Sequence, residues 1–328
     1  MRATTGRAWA DYVWRSRGWT SGPAHGARAT PATRLTEALS ALFAATALAA
    51  AAAPVILAQT AEGSRSDEAA GTTSARTSLA APGREVMFAG YGGVPYTYPS
   101  DVALKKDGLH DLTAKDVAWD GKPFVNPIYY GARIVRFGAG RLGAMLDFTH
   151  SKALARLDED VTFQGTLDGA PAPARARLRD IFRKLEASHG HNMLTLNGLL
   201  RLPSLSLGLQ PYVGLGAGVS LPHSEVHLAG ADRRTYEYQL AGPVAQALIG
   251  LELRTARVSY FLEYKFTFAP YEMPLSEREG SWLPLDLWSQ FQNWWSGAEP
   301  PGGRLATTFV SHQGIFGLGI RSAPVAAP

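Results

Sequence analysis

Cysteine is absent from the 328 residues, which excludes a disulfide framework and suits passage through an oxidising compartment without mispairing. Long apolar stretches are nearly absent too. After residues 39–53 (LSALFAATALAAAAA) no run approaches the length of a membrane-spanning helix, so any entry into a membrane is made without helices. Concentrated positive charge is also missing: the formal charge of +4 is spread along the chain, and no nucleic-acid partner is expected from it. No flavin or haem motif is visible. The single literal GxGxxG, at 138–143, lacks the following helix whose N-terminus would meet a pyrophosphate. The next residues, RLGAMLDF, alternate as a strand, so those glycines read as a hairpin turn and the NAD reading is discarded.

What is present begins with a leader. The 39–53 run follows several arginines and precedes PVILAQ, where Ala58 suits a cleavage site. Residues 1–58 therefore read as a secretory signal peptide, too short in its apolar part to span a bilayer and extended at its N-terminus, which places the start codon in question. Residues 59–84, rich in Ser, Thr, Ala and Gly, cannot bury enough apolar surface to offset chain entropy and read as a disordered periplasmic linker.

From 85 to 321 the chain alternates between strand-like runs and two kinds of connection, with a short tail at 322–328. The runs are 85–94, 126–138, 141–151, 191–203, 208–221, 236–253, 257–268 and 305–321. Tight connections (GAG, PSLSLG, RTAR) alternate with long ones near 95–125, 152–190, 222–235 and 269–304. That layout predicts an all-β fold: an eight-stranded antiparallel up-and-down transmembrane β-barrel with short periplasmic turns and long outer loops. Val258, Tyr260, Leu262, Tyr264, Phe266 and Phe268 make one apolar face, with Ser259, Glu263, Lys265 and Thr267 between them. Apolar outside and polar inside is the lipid-barrel pattern, whereas a soluble lipocalin-like barrel would invert it. Arg133, Asp147, Arg201, Glu252, Glu263 and Lys265 fall on the predicted inner face and are expected to pair as an ionic plug, which leaves no wide pore. Gly214, Gly216 and Gly218 share that face and relieve crowding.

Short helices are expected in two loops. ARARLRDIFRKLEA (174–187) sets Leu178, Ile181, Phe182 and Leu185 on one stripe among Arg175, Arg177, Arg179, Arg183 and Lys184. Two roles fit it: binding lipopolysaccharide phosphates, or capping the barrel mouth. PLDLWSQFQNWW (284–295) gathers Leu287, Trp288, Phe291, Trp294 and Trp295, which suits a helix on the outer leaflet or packing against other loops.

The apolar face Val213 to Leu221 runs into His223, Glu225 and His227. Strand three ends likewise in His150 and Lys152, strand four enters through His189, His191 and Asn192, and strand six through Glu237, Tyr238 and Gln239. Neighbouring strands would set these groups in one arc at headgroup height, where imidazoles and carboxylates bind metals or move protons. The expected substrate is a lipid, with the sugar headgroup of lipid A the main candidate.

GGVPYTYPSDV (92–102), DFTHSK (147–152), NMLTLN (192–197), PYVGLGAGVSLPHSE (211–225), EYQLAGP (237–243) and EYK (263–265) together resemble the outer-membrane lipid A oxidases of rhizobia and related barrels. The resemblance covers residues 86–321. It implies a monomeric protein in the outer membrane of a Gram-negative bacterium, which oxidises the proximal glucosamine of lipid A to 2-aminogluconate with O2 as acceptor and hydrogen peroxide as product. On the matching positions, His150, Lys152, His223, Glu225, Glu237 and Gln239 are catalytic candidates. Asp101 and Asn192, with Arg175, Arg179, Arg183, Trp288, Trp294 and Trp295 from the loops, are substrate-binding candidates. His150, His223 and Glu225 form the hypothetical ligand set for a divalent metal. Departures are the length of loops 152–190 and 269–304 and a last strand ending on Arg321 rather than an aromatic residue. The alternative is a non-enzymatic outer-membrane barrel that contacts lipopolysaccharide or another cell. A hydrolase using His150 and Ser151 is excluded, because neighbours on a strand point to opposite faces.

Overall fold

The computed structural model describes residues 84–205 and 208–322. The expected leader, all but the last residue of the linker and all but the first residue of the tail lie outside them. Sixteen strands form one sheet: β1 (Glu85–Thr97), β2 (Ser100–Lys106), β3 (His110–Val117), β4 (Trp119–Asp120), β5 (Tyr130–Phe137), β6 (Leu142–Ala155), β7 (Asp160–Leu167), β8 (Ala170–Pro171), β9 (Arg175–Arg177), β10 (Phe182–Arg201), β11 (Leu209–Ser220), β12 (His223–Leu228), β13 (Thr235–Tyr238), β14 (Gly242–Arg254), β15 (Val258–Pro274) and β16 (Arg304–Arg321). One α-helix, α1 (Leu283–Ser296), is present among the described residues, and no helix there is long and apolar enough to cross a membrane.

Eight of these strands pair antiparallel in the order β1–β5–β6–β10–β11–β14–β15–β16, and β16 pairs with β1 in turn, Tyr91 opposite Gly317. Each overlaps one of the eight runs expected from the sequence, although the run 236–253 is divided between β13 and β14 and eight further strands lie outside this set; the three tight connections fall at 138–141, 202–208 and 255–257. Alternation is the cause. In β15 Ser259, Phe261, Glu263, Lys265 and Thr267 are buried, whereas Tyr260, Leu262 and Tyr264 are exposed, Leu262 by 64%. Leu142, Leu146, Leu196, Ile249, Phe316, Leu318 and Ile320 extend that exposed apolar surface around the sheet.

The interior of this half holds the predicted charges, and they pair. Arg133 donates through both terminal nitrogens to Glu263 at 2.8 and 2.9 Å and through Nε to Asp147 Oδ1 at 3.1 Å. Lys265 Nζ reaches Asp147 Oδ2 at 2.6 Å, and Tyr212 donates its hydroxyl to Glu263 at 2.8 Å. Nearer the tight turns a second network joins Arg201 and Arg254 to Glu85 and Glu252. Two cations meet two carboxylates in the first, and the second adds Arg321 as a third cation 3.7 Å from Glu85, so no buried carboxylate of either set is left without a counter-charge. Close packing forces glycines among these groups. A Cβ on Gly131 would lie 1.9 Å from the Tyr91 ring, and one on Gly216 would lie 2.1 Å from Asn197 Oδ1.

The long connections are largely strand at 95–125 and 152–190, which corrects their reading as loops; of 222–235 and 269–304, residues 229–234 and 275–303 do stay outside the strands. The same strands continue beyond the polar interior, joined by β2, β3, β7 and β12, and enclose a second core of Val102, Leu104, Leu112, Val161, Phe163, Leu185, Tyr271, Met273, Leu305 and Phe309. Along β15 the exchange is visible residue by residue: the inner positions change from Lys265 and Thr267 to Ala269, Tyr271 and Met273, and the outer ones from Phe266 and Phe268 to Pro270 and Glu272. One end of the sheet is apolar outside; the other is apolar inside.

The helix expected at 174–187 is also corrected. That segment is β9, a 3-10 turn at Leu178–Asp180 and the start of β10. The spacing of Leu178, Ile181, Phe182 and Leu185 fits a helical stripe, but pairing of β10 with β12 draws the segment into the sheet, with an irregularity between Phe182 and Lys184. All four apolar side chains are buried in the second core. The helix expected at 284–295 is found as α1.

Candidate functional site

Where the outer face changes from apolar to polar, β10 is interrupted. Ala187 opposes Ala153 and His191 opposes Ser151, so Ser188, His189 and Gly190 bulge out between them. Gly190 adopts φ 145°, and a Cβ there would lie 2.4 Å from the Asn192 amide. The glycine thus lets Asn192 fold back. Its Oδ1 meets His150 Nδ1 at 2.8 Å, and its Nδ2 donates to the Leu221 carbonyl at 3.1 Å.

His150 stacks on Tyr130, ring centroids 4.7 Å apart and nearly parallel at 17°. The bulge carries His189 to 5.5 Å from the His223 ring, and His223 lies edge-on to Tyr236 and Tyr238, each at 4.4 Å. His223 Nε2 pairs with the Gly280 carbonyl at 3.2 Å. Both His150 Nε2 and His223 Nδ1 are buried and have no hydrogen-bond partner among the described residues. A buried polar atom left without a partner is disfavoured, so these two nitrogens mark a place where a ligand's polar groups would be stabilising.

Two apolar elements flank this cluster. On the β5 side the segment before Tyr130 exposes Phe124, Val125 and Ile128, and Lys152 Nζ donates to the Val125 carbonyl at 2.8 Å. On the β13 side α1 docks by Asp286, whose Oδ2 accepts from the Tyr238 amide at 3.2 Å.

No family model matches the chain, and no curated protein matches it. Among solved structures it is similar to the outer membrane protein AlkL (17% identity, TM-score 0.33, covering 80% of this chain and 99% of that one). It is also similar to Neisserial surface protein A, NspA (11%, TM-score 0.30, 72% and 95%). A third is Ail of Yersinia pestis, solved with the heparin analogue sucrose octasulfate (10%, TM-score 0.30, 74% and 99%). These neighbours are small outer-membrane barrels, and at such scores nothing of what they bind carries over.

The other expected site residues disperse. Glu237 and Gln239 lie on the opposite face of β13 from Tyr238, inside the upper sheet. Gln239 donates to the Pro274 carbonyl at 2.6 Å and accepts from Ser224 at 2.7 Å, and Glu237 accepts from Ser276 at 2.6 Å. Burial pushes the Glu237 carboxyl above its ordinary range, against the Ser276 hydroxyl that favours its ionised form. His191 also faces inward, bonded to the Tyr271 hydroxyl, and His227 is held by the Ala231 carbonyl at 3.0 Å. Asp101 sits on β2 with Lys115 at 2.8 Å, on another side of the sheet. Arg175, Arg179 and Arg183 belong to the upper sheet's surface, with Arg179 paired to Asp158. Trp288, Trp294 and Trp295 lie on α1.

The metal set does not fit. Glu225 is engaged by Arg234 at 2.5 Å, and among the described residues no three His, Asp or Glu side chains are grouped so as to hold a metal ion. Tyr130 and Tyr236 are the site members that the sequence reading misses, while it does place His189 in the arc. The signal for that histidine's turn to the outer face is the SHGH stretch, where a glycine interrupts a strand beside two histidines.

Proposed function

We propose that the chain is an outer-membrane protein of a Gram-negative bacterium, in which the eight cyclically paired strands form an up-and-down transmembrane barrel and the His150–His223 rim site engages the sugar headgroup of lipid A. The inverted polarity of the two halves supports the membrane reading: lipid replaces a core on the outside of one half, and the other half encloses its own core above the bilayer. The observation that carries the site is the pair of buried, unpartnered ring nitrogens, His150 Nε2 and His223 Nδ1, at the height where the outer face stops being apolar. A saccharide offers hydroxyls that both donate to and accept from such nitrogens.

The test is linkage. In phosphatidylcholine vesicles, added lipid A should raise the unfolding free energy of the wild type by about 2.7 kcal/mol at a hundredfold excess over Kd, and the urea midpoint with it. The shift should vanish in the His150→Ala, His223→Ala double variant. Absence of any lipid A-dependent shift in the wild type overturns the reading.

The same nitrogens favour a second reading, oxidation of the proximal glucosamine. C1 of the free hemiacetal would give up two electrons and two protons to O2, yielding a lactone and hydrogen peroxide, and water would open the lactone to the gluconate. His150 or His223 would take the C1 hydroxyl proton. Expressed in a host lacking the modification, the protein would add one oxygen to lipid A by mass spectrometry. Unchanged lipid A leaves headgroup binding alone.

A further inference from the structure

Helix α1 is built inside out. Two polar side chains dock it on the protein: besides Asp286, Gln290 accepts from the Leu240 amide at 2.8 Å and donates to the Leu240 carbonyl at 3.0 Å. Leu283, Leu287 and Trp294 are half-buried, and the other large apolar side chains face away. Leu285, Trp288, Phe291 and Trp295 fall on one stripe and are 57%, 58%, 45% and 61% exposed, with Trp282 just ahead of the first turn at 61%. The rings support one another outside rather than folding inward, Phe291 lying 5.7 Å from Trp288 and 5.9 Å from Trp295.

On a water-facing surface the arrangement would be reversed, because burying each such side chain stabilises by about 1.5–3 kcal/mol. The helix docks by its polar side only if its other side also meets something apolar. The surroundings say what that is. Leu240, at the docking point, is itself 48% exposed, and across the histidine cluster Phe124, Val125 and Ile128 are exposed by 80%, 56% and 52%. The stripe thus continues the apolar outer surface of the spanning strands at the level of the rim.

We infer that α1 is an interfacial helix, with its aromatic face seated in the outer leaflet at the boundary between acyl chains and headgroups, where Trp side chains are favoured. The inference rests on the membrane reading above and deepens it. The Gly280 carbonyl that holds His223 is in the segment leading into α1, so seating the helix fixes the histidine site at headgroup height. The helix is a positioning element for a ligand that arrives from the leaflet.

The cysteine-free sequence makes the test direct, since one introduced thiol is the only one in the full chain. Leu285→Cys, Trp288→Cys, Leu262→Cys and Thr166→Cys are each labelled with an environment-sensitive fluorophore. Each is then refolded into phosphatidylcholine vesicles whose acyl chains carry bromine. Labels at 285, 288 and 262 should lose intensity relative to unbrominated vesicles, and the label at 166, in the upper sheet, should not. Loss at 262 without loss at 285 and 288 overturns the interfacial helix and leaves the barrel standing. No loss at 262 overturns the membrane reading itself, and the inference with it.

Discussion

Asp147→Asn removes the carboxylate shared by two buried cations. Arg133 Nε and Lys265 Nζ both lie against Asp147, and the side chains of Asp147 and Lys265 are fully buried. Arg133 keeps its two bonds to Glu263, but Lys265 is left with neutral acceptors and no counter-charge of its own, among them the Tyr91 and Thr149 hydroxyls at 3.1 and 3.0 Å. Breaking a buried pair by removing one partner costs about 3–5 kcal/mol, a factor of about 10² to 10⁴ in the folding equilibrium. Adding Lys265→Met to Asp147→Asn restores neutrality: Arg133 and Glu263 remain as a pair, Tyr91 and Thr149 still bond each other at 2.7 Å, and a methionine of similar reach fills the space. The double variant should therefore recover most of the loss. Urea unfolding in phosphatidylcholine vesicles, followed by intrinsic fluorescence, measures all three proteins. A single-variant loss below about 1 kcal/mol, or a double variant as unstable as the single, refutes the account of the interior as an obligatory charge balance.

Gly190→Ala should displace Asn192 and release His150 while leaving the barrel folded, so lipid A-dependent stabilisation should fall with little change in the urea midpoint measured without lipid A; an unchanged lipid A response counts against the bulge as the organiser of the site. Glu237 supplies a pH prediction. Its folded pKa is raised above its unfolded value, so its contribution to stability is full below the unfolded value near 4.5 and is lost as pH rises through the folded one. Glu237→Gln should thus change little in acid and should protect the upper sheet from proteolysis at neutral pH, and a variant more susceptible than the wild type at neutral pH would contradict the sign.

Much of the half that is apolar outside is legible in the sequence, because one rule operates there without interruption. In β15 every second residue from Tyr260 to Phe268 is apolar, and of the intervening ones Glu263, Lys265 and Thr267 carry the polar interior. The same holds for Arg133, Asp147 and Glu263, whose places on the inner face follow from the alternation of their own strands. The upper half defeats that rule at its boundary. At Phe268–Ala269 the apolar set changes parity, because the outer face stops being apolar where the inner face stops being polar. Read along the chain, such a change is indistinguishable from the end of a strand, and a long loop is the natural but mistaken reading. The 174–187 segment failed for a related reason: a helical spacing and a bulged strand place Leu178, Ile181, Phe182 and Leu185 equally well on one side, and only pairing with β12 chooses between them.

The rim site shows the same division. Histidines and an asparagine at strand ends are visible in the sequence, and so is the order of the strands that carry them. Which of them share a face is another matter: the three-residue bulge brings in His189, His191 keeps the inward parity of Thr195 and Asn197, and the parity of β13 puts Glu237 and Gln239 behind His223. By itself the sequence determined the alternation, the strand order and the kinds of side chain inside and out, all consequences of local geometry with a period of two. Only the tertiary structure decided which polar groups meet, because that depends on bulges and on strand pairings between residues far apart in the chain.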